Sequence, residues 1–438
     1  MREALIERCE QAVAQAQAAG SQEAWAKASV GREIDFQYRD GALEKVQEST
    51  SRSLSLQLYV DGRYSSHSTT DLREDRLQAF VDEAIALTRL LEADPNRQLP
   101  DPSLYGGQVR LHLDLIDPSL GEITEDERIA WCKAMDDKLH TDERVISSTS
   151  GVNQHHSTSA DVSSNGFAGS HEATSLWMGT EVTLDDPAGG RPEAWCWVGG
   201  RHRSVLWETD RIAADALRQA SDRLGSTKGP TRKTTMIVDP RSGRRLIGAL
   251  LGAANARSIQ QGRSFWAGKT GEKLFSEKLT ITDDPHIVQG LASRYYDGEG
   301  LASRRLPIVR EGVVENVYVD TYYGRKAGLE PTTGSSSNRV VTVGEGDLAS
   351  ILADVGEGIY VTSWLGGNSD GTTGDFSFGL RGHLLEGGVV GAPIGEMNIT
   401  GNLVDLFASL VRVGDDPWAF STTLCPTLVF EGVQFSGA

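Results

Sequence analysis

Apolar residues recur at helical spacing over residues 2–18, where Leu5, Cys9, Ala12, Val13 and Ala16 fall on one stripe and Gly20 supplies a stop. The period then changes to two. Ile34, Phe36 and Tyr38 alternate with polar residues, as do Leu54, Leu56, Leu58 and Val60 ahead of Asp61-Gly62, the pattern of an antiparallel meander with a tight turn. A second helix is predicted from Asp71, with Asp71 and Glu74 as a capping-box-like start and Leu77, Phe80, Val81, Ala84 and Leu87 as its apolar face. Thr124 with Glu127 opens a third, reaching about Leu139. Residues 145–180, rich in Ser, Thr and His, read as irregular strands. Thr209 is expected to cap a fourth helix carrying Ile212, Ala216, Leu217, Ala220 and Leu224, which stops at Gly225.

Residues 226–233 read as the clearest linker, and the main boundary is placed there. It separates a domain at 1–225, divisible into 1–115 and 116–225, from one at 234–438. The second half is glycine-rich, with short strands at 236–238, 279–281 and 307–309, many more from 340 to 431, and helices near 240–258, 347–355 and 402–412. The predicted fold is α+β: an N-terminal mixed domain of meander and helices, then a strand-rich, curled or barrel-like C-terminal sheet.

Composition narrows the class. At 438 residues, 39% hydrophobic and 24% charged, the chain has the balance of a globular protein of more than one domain. No apolar run is long enough for a membrane span, and the start of the chain is acidic and amphipathic, so the expected location is cytoplasmic. Cys9, Cys132, Cys196 and Cys425 form no Cys-x-x-Cys pair and are expected to be buried, reduced thiols. A net charge of −18 opposes binding to a phosphate backbone, and the clusters at 201–203 and 241–245 are too short to reverse it.

Apparent motifs fail on their mechanics. Gly268-Lys269-Thr270 ends like a P-loop, but Gly262 lies one residue too far back to be its first glycine. Val340 to Ala349 has the order of a dinucleotide site, yet Glu345 and Asp347 would meet a pyrophosphate with like charge; Asp347 reads better as a helix cap. No cysteine sits in a recognisable nucleophile signature. His155, His156 and His171-Glu172 lack a second His one helical turn away, and are read as loop histidines.

Two later stretches carry a family likeness. Gly374-Asp375-Phe376-Ser377-Phe378-Gly379, then Asn398-Ile399-Thr400-Gly401-Asn402-Leu403, resemble the C-terminal signature of the TldD/PmbA family. Ser264 to Gly271, the stretch Ile281-Thr282-Asp283-Asp284-Pro285, and Val413-Gly414-Asp415-Asp416 extend the resemblance. Zinc-bearing members place His-Glu-x-x-x-His on the preceding helix. Here those positions are Gly248, Ala249 and Ala253, which can neither bind zinc nor move a proton. The chain therefore resembles the PmbA/TldE kind. That resemblance implies a subunit without its own metal that pairs with a zinc-bearing TldD-type partner to degrade or mature unfolded peptides. It also implies peptide contacts from Asp375, Phe376, Ser377, Phe378, Gly401 and Asn402, although the two phenylalanines also read as core and Gly401-Asn402 as a cap. Some relatives are called modulators of DNA gyrase, a role the charge opposes. A stand-alone peptide- or ligand-binding scaffold is the alternative, and pairing of the chain with a second copy is left open.

Overall fold

The structure, a computed structural model, describes residues 1–437. Helix α1 (Arg2–Ala18) buries Leu5, Cys9, Ala12, Val13 and Ala16, the predicted stripe, and Gly20 ends its turn with φ of +104°. Strands β1 (Glu23–Arg39), β2 (Ala42–Val60) and β3 (Arg63–Thr69) form the meander. Asp61 and Gly62 both have positive φ (51° and 74°), as the mirror-image turn of a tight hairpin requires.

Helix α2 is Glu74–Thr88 and corrects the expectation. Arg73 holds the N-cap position without a side-chain bond, while Asp71 accepts from the Arg73 backbone N–H at 3.3 Å. The Glu74 side chain lies outside the described residues. Leu77, Val81, Ala84 and Ile85 are buried, whereas Leu87 falls off the stripe and stays exposed.

Helix α3 (Glu125–Leu139) is capped by Thr124, which accepts from the Glu127 N–H at 3.2 Å. The stretch expected to be irregular is two long regular strands, β4 (Val145–Ser163) and β5 (Ala168–Leu184), followed by β6 (Glu193–Gly200). Their outward Ser and Thr positions are good strand formers and blur the alternation without breaking it. Helix α4 (Thr209–Ser221) begins at Thr209 instead of being capped by it, with Glu208 at the N-cap.

These six strands form one sheet in the order β3-β2-β1-β4-β5-β6. One face takes all four helices. The small residues Ala24, Ala26 and Ala28, with Leu54, Leu56 and Leu58 opposite them, receive α1 and α2. Further along the same strands Ile34, Phe36, Tyr38 and Val152 receive α3 and α4. The other face carries Trp25, stacked on Phe167 at 5.0 Å and joined by Tyr296 from the second half of the chain.

The segment read as a linker is tied into the second half. Strand β7 (Thr227–Lys228) runs parallel to a later strand, and β8 (Arg232–Val238) follows at once. Gly252 ends α5 (Pro240–Leu251), so the helix expected over 240–258 is two, α6 being Ala256–Gln260. Next come β9 (Ile281–Asp284), β10 (Leu306–Arg310), β11 (Val313–Val314), α7 (Thr321–Ala327) and β12 (Asn338–Val341). Helix α8 (Leu348–Val355) has Asp347 as its cap, accepting from the Ser350 N–H at 2.9 Å, as the sequence implied. The chain ends with β13 (Gly358–Ser369), β14 (Asp375–Glu386), β15 (Val389–Asn402), α9 (Leu403–Ala408), β16 (Leu410–Val413), β17 (Thr423–Leu424) and β18 (Leu428–Ser436). The helix expected over 402–412 is thus only α9, followed by a strand.

Strands β8, β13, β14, β15 and β18 close on themselves, because β18 pairs with β8 on one side and with β15 on the other. Closure removes the sheet edges and encloses a core that includes Met236, Val361, Phe378, Leu380, Ile399 and Phe430. Among the described residues no helix is long and apolar enough to cross a membrane.

Candidate functional site

Helix α5 sets the geometry. Asp239 caps it by accepting from the Arg241 N–H at 2.8 Å, and Pro240 fits the first helical position, where no N–H is needed. Leu246, Ile247, Leu250 and Leu251 bury one face in the barrel core. Gly248 and Ala249 lie on the other face, half-buried. A Cβ built on Gly248 would meet nothing within 4 Å, so the position at which the first imidazole of the zinc-bearing pattern was expected is open space. The second, Ala253, lies beyond the helix end and is buried.

The C-terminal end of α5 is sealed from below. The buried Trp266 indole donates to the Leu250 carbonyl at 2.9 Å, and the Ser264 hydroxyl donates to the Ala253 carbonyl at 2.6 Å. The first bond satisfies a carbonyl of the last helical turn, which a helix end leaves without a partner. The tip of the β13–β14 hairpin closes over this corner. The Phe265 N–H donates to the Gly371 carbonyl at 2.9 Å, and a Cβ built on Gly371 would stand 3.4 Å from that of Ala253. A ring at 253 would collide with that tip.

Beside it opens a shallow recess of about 750 Å³ bounded by Arg263, the backbone of residues 368–372, and Asp375, Phe376 and Ser377. The structure separates the six residues expected to touch peptide. Asp375, Phe376 and Ser377 border the recess, but Phe376 is buried and stacks on Phe378 at 5.0 Å. Phe378 belongs to the core, its ring under the Arg245 guanidinium at 4.7 Å. Gly401 pairs with Phe376 across the ladder. Asn402 is a structural bracket. Its oxygen accepts from the Val404 N–H at 2.9 Å to start α9, and its amide donates to Thr373 O at 2.8 Å and to Asp375 Oδ1 at 3.0 Å. Asn402, followed by Thr373, holds the exposed Asp375 carboxyl below its ordinary range.

At the recess β13 is paired with β14, Asn368 with Ser377 and Ser369 with Phe376, and the Asp370 N–H donates to the Asp375 carbonyl at 2.7 Å. Ser242 Oγ donates to the Thr362 carbonyl at 2.6 Å and Arg245 to that of Gly367 at 2.8 Å, so α5 covers the strand up to the recess. Arg263 and residues 368–372 had not been singled out in the sequence; the run of Gly and Asn around them signals a turn and nothing about its neighbour.

The histidines are not in loops. His155, His156 and His171 stand on β4 and β5, far from α5, where His156 bonds Glu172 at 2.8 Å and burial pushes His171 down to about 4. Among the described residues no group of three or more His, Cys, Asp or Glu is arranged to hold a metal ion.

Comparison with known proteins places this architecture. The PmbA/TldA metallopeptidase C-terminal domain matches residues 231–437, the central domain 118–224 and domain 1 residues 28–88. The chain is 28% identical over 409 residues to the metalloprotease PmbA of Escherichia coli O157:H7, covering 92% of this chain and 90% of that one. A crystal structure from Bacteroides thetaiotaomicron, described as a candidate modulator of DNA gyrase, superposes with a TM-score of 0.95 at 37% identity, covering 99% of this chain and 98% of the other. TldE from Thermococcus kodakarensis shares the fold, with a TM-score of 0.87 at 18% identity over 98% of this chain and all of the other (100%). With all three of the family's domains matched in order, the chain belongs to the PmbA/TldD metallopeptidase family.

Proposed function

We propose that this chain is a metal-free PmbA/TldE-type subunit of a TldD/PmbA-like metalloprotease complex, which degrades or matures unfolded peptides with zinc held by a TldD-type partner. The observation that carries the reading is the α5 corner. Gly248 and Ala249 offer no ligand or base, and Ala253 is packed against the Gly371 tip. The residues present do not fit the family's zinc, and no catalytic step is assigned to this chain. Its part is to bind and to orient. The Arg263 guanidinium and the Asp375 carboxylate, both at the recess, suit the charged ends of an extended peptide.

The test is co-expression with a zinc-bearing TldD-type protein, followed by purification, metal analysis and a peptide-cleavage assay. The expected result is a mixed complex whose zinc and chelator-sensitive activity both depend on the partner. Chelator-sensitive cleavage by this chain alone, or failure ever to co-purify with such a partner, would refute the proposal.

A further inference from the structure

The meander of the first sheet is uneven. Strand β3 stops at Thr69, opposite Leu54, whereas β2 extends back to Ala42. Over residues 42–53 β2 is paired with β1 on one side and, among the described residues, with no strand on the other. Where β3 turns away, a shallow recess of about 510 Å³ bounded by Thr50, Ser51, Arg52 and Thr70 leaves this edge open. The side chains of 42–53 are exposed on both faces of the sheet, Ser49 and Ser53 alone being half-buried. Two of them are large and apolar: Leu43 is 42% exposed and Val46 48%. They stand beside Tyr38 and Phe36 of β1, which lie under α3, so the apolar face of the sheet runs past its cover.

A long free edge presents a row of backbone N–H and C=O groups, and folded proteins guard such edges with proline, a bulge or a free charge. Here there is no proline, the one break in register is at Gln37/Tyr38 close to the hairpin turn, and Lys45 is engaged by Asp35 of its own sheet at 2.6 Å. The edge is also neutral in a chain of net charge −18, since Glu44 and Glu48 are balanced by Lys45 and Arg52.

A second copy of the chain brings an identical edge, and a two-fold axis normal to the sheet sets identical edges antiparallel. Opposed residues then share a face, so one residue stands opposite its own copy. Of the two longest overlaps, centred on Gln47 and on Glu48, only the second sets opposite charges together. Glu44 faces Arg52 of the other copy at both ends, with Val46 facing Thr50 between them. Glu48 faces itself, each carboxylate already held by Arg32 at 2.7 Å, while Arg52 has no ion pair within its own chain among the described residues.

We propose that two copies of this chain pair through β2, antiparallel over residues 43–53 about a two-fold axis at Glu48, so that the six-stranded sheet continues from one copy into the other. The pairing is that of the chain by itself and does not depend on the subunit role given above.

Sedimentation velocity of the purified chain over a range of concentrations tests it. A monomer–dimer equilibrium with a Kd of about 10 µM or tighter is expected. Arg52→Glu sets like charges against each other at both ends and should weaken pairing about tenfold; Glu44→Arg combined with Arg52→Glu reverses the pair and should restore it. Glu44 and Arg52 are exposed, so both variants should keep the parent's far-UV spectrum. In a Glu48→Cys variant the new thiol faces its own copy, and a short thiol cross-linker should give a covalent dimer, the four native cysteines being buried. Leu43→Cys, far from the axis, should give none. A chain that stays monomeric, a dimer indifferent to Arg52→Glu, or a double variant no better than the single one would overturn the proposal. So would cross-linking at Leu43→Cys in place of Glu48→Cys, because the charge pairing rests on that register.

Discussion

Gly248 and Ala253 should respond oppositely to a larger side chain. Gly248 sits inside α5 with negative φ, half-buried, and an added Cβ meets nothing within 4 Å. Gly248→Ala therefore adds a methyl without a clash, and glycine inside a helix costs roughly 0.8–1 kcal/mol relative to alanine. Most of that difference is conformational entropy of the unfolded chain, so the variant should gain about 0.5–1 kcal/mol. Ala253 is 3% exposed and lies against the hairpin tip that bonds Phe265. Ala253→His must displace that tip, at the roughly 1–3 kcal/mol typical of overpacking. Urea unfolding of the two variants beside the parent, followed by tryptophan fluorescence, reads both, since Trp266 is buried under the same corner. A destabilised Gly248→Ala would mean that the open face is covered. An Ala253→His as stable as the parent would mean that the corner has room for a metal ligand, and the physical basis for a helper role would be lost.

Other outcomes follow from the same structure. Asn402→Ala removes the α9 cap and the brace on Asp375, and should lower stability by about 0.5–2 kcal/mol in urea unfolding without altering the far-UV spectrum. Burial alone would raise the Asp215 pKa, but Arg241, with help from Arg218 and Cys196, outweighs it and brings the group from 3.8 to about 2. A depressed carboxylate stabilises the fold above its unfolded pKa and loses that contribution as pH falls through the folded one. Asp215→Asn should therefore lower the urea midpoint at neutral pH, with the gap from the parent closing as pH falls from 3.8 towards 2; a gap independent of pH would contradict this. Cys9, Cys132 and Cys196 are pushed up to about 12 by burial, and Cys425 is raised further. A thiol reagent at mildly alkaline pH should label none of the four in the native protein and all four after denaturation.

What the sequence determined is whatever a local period or a local hydrogen bond can decide. The stripe of α1, the alternation of Leu54 to Val60, the Asp61-Gly62 turn and the Thr124 and Asp347 caps each depend on residues within a few positions of one another. That Gly248, Ala249 and Ala253 carry no group able to bind zinc is likewise a matter of residue type. Boundaries slipped where burial, not propensity, chose them: α2 turned to bury Ile85 and expose Leu87, and the apparent linker joined a sheet through pairing with β15. Tertiary structure alone decided the rest. Closure of the barrel brings Asn398 against Ser436; hairpin docking brings Gly371 onto Ala253, which lies 118 positions earlier in the chain; and packing of α4 beside α5 pairs Asp215 with Arg241. Such contacts arise from how whole elements share one core, and no spacing along the chain encodes them.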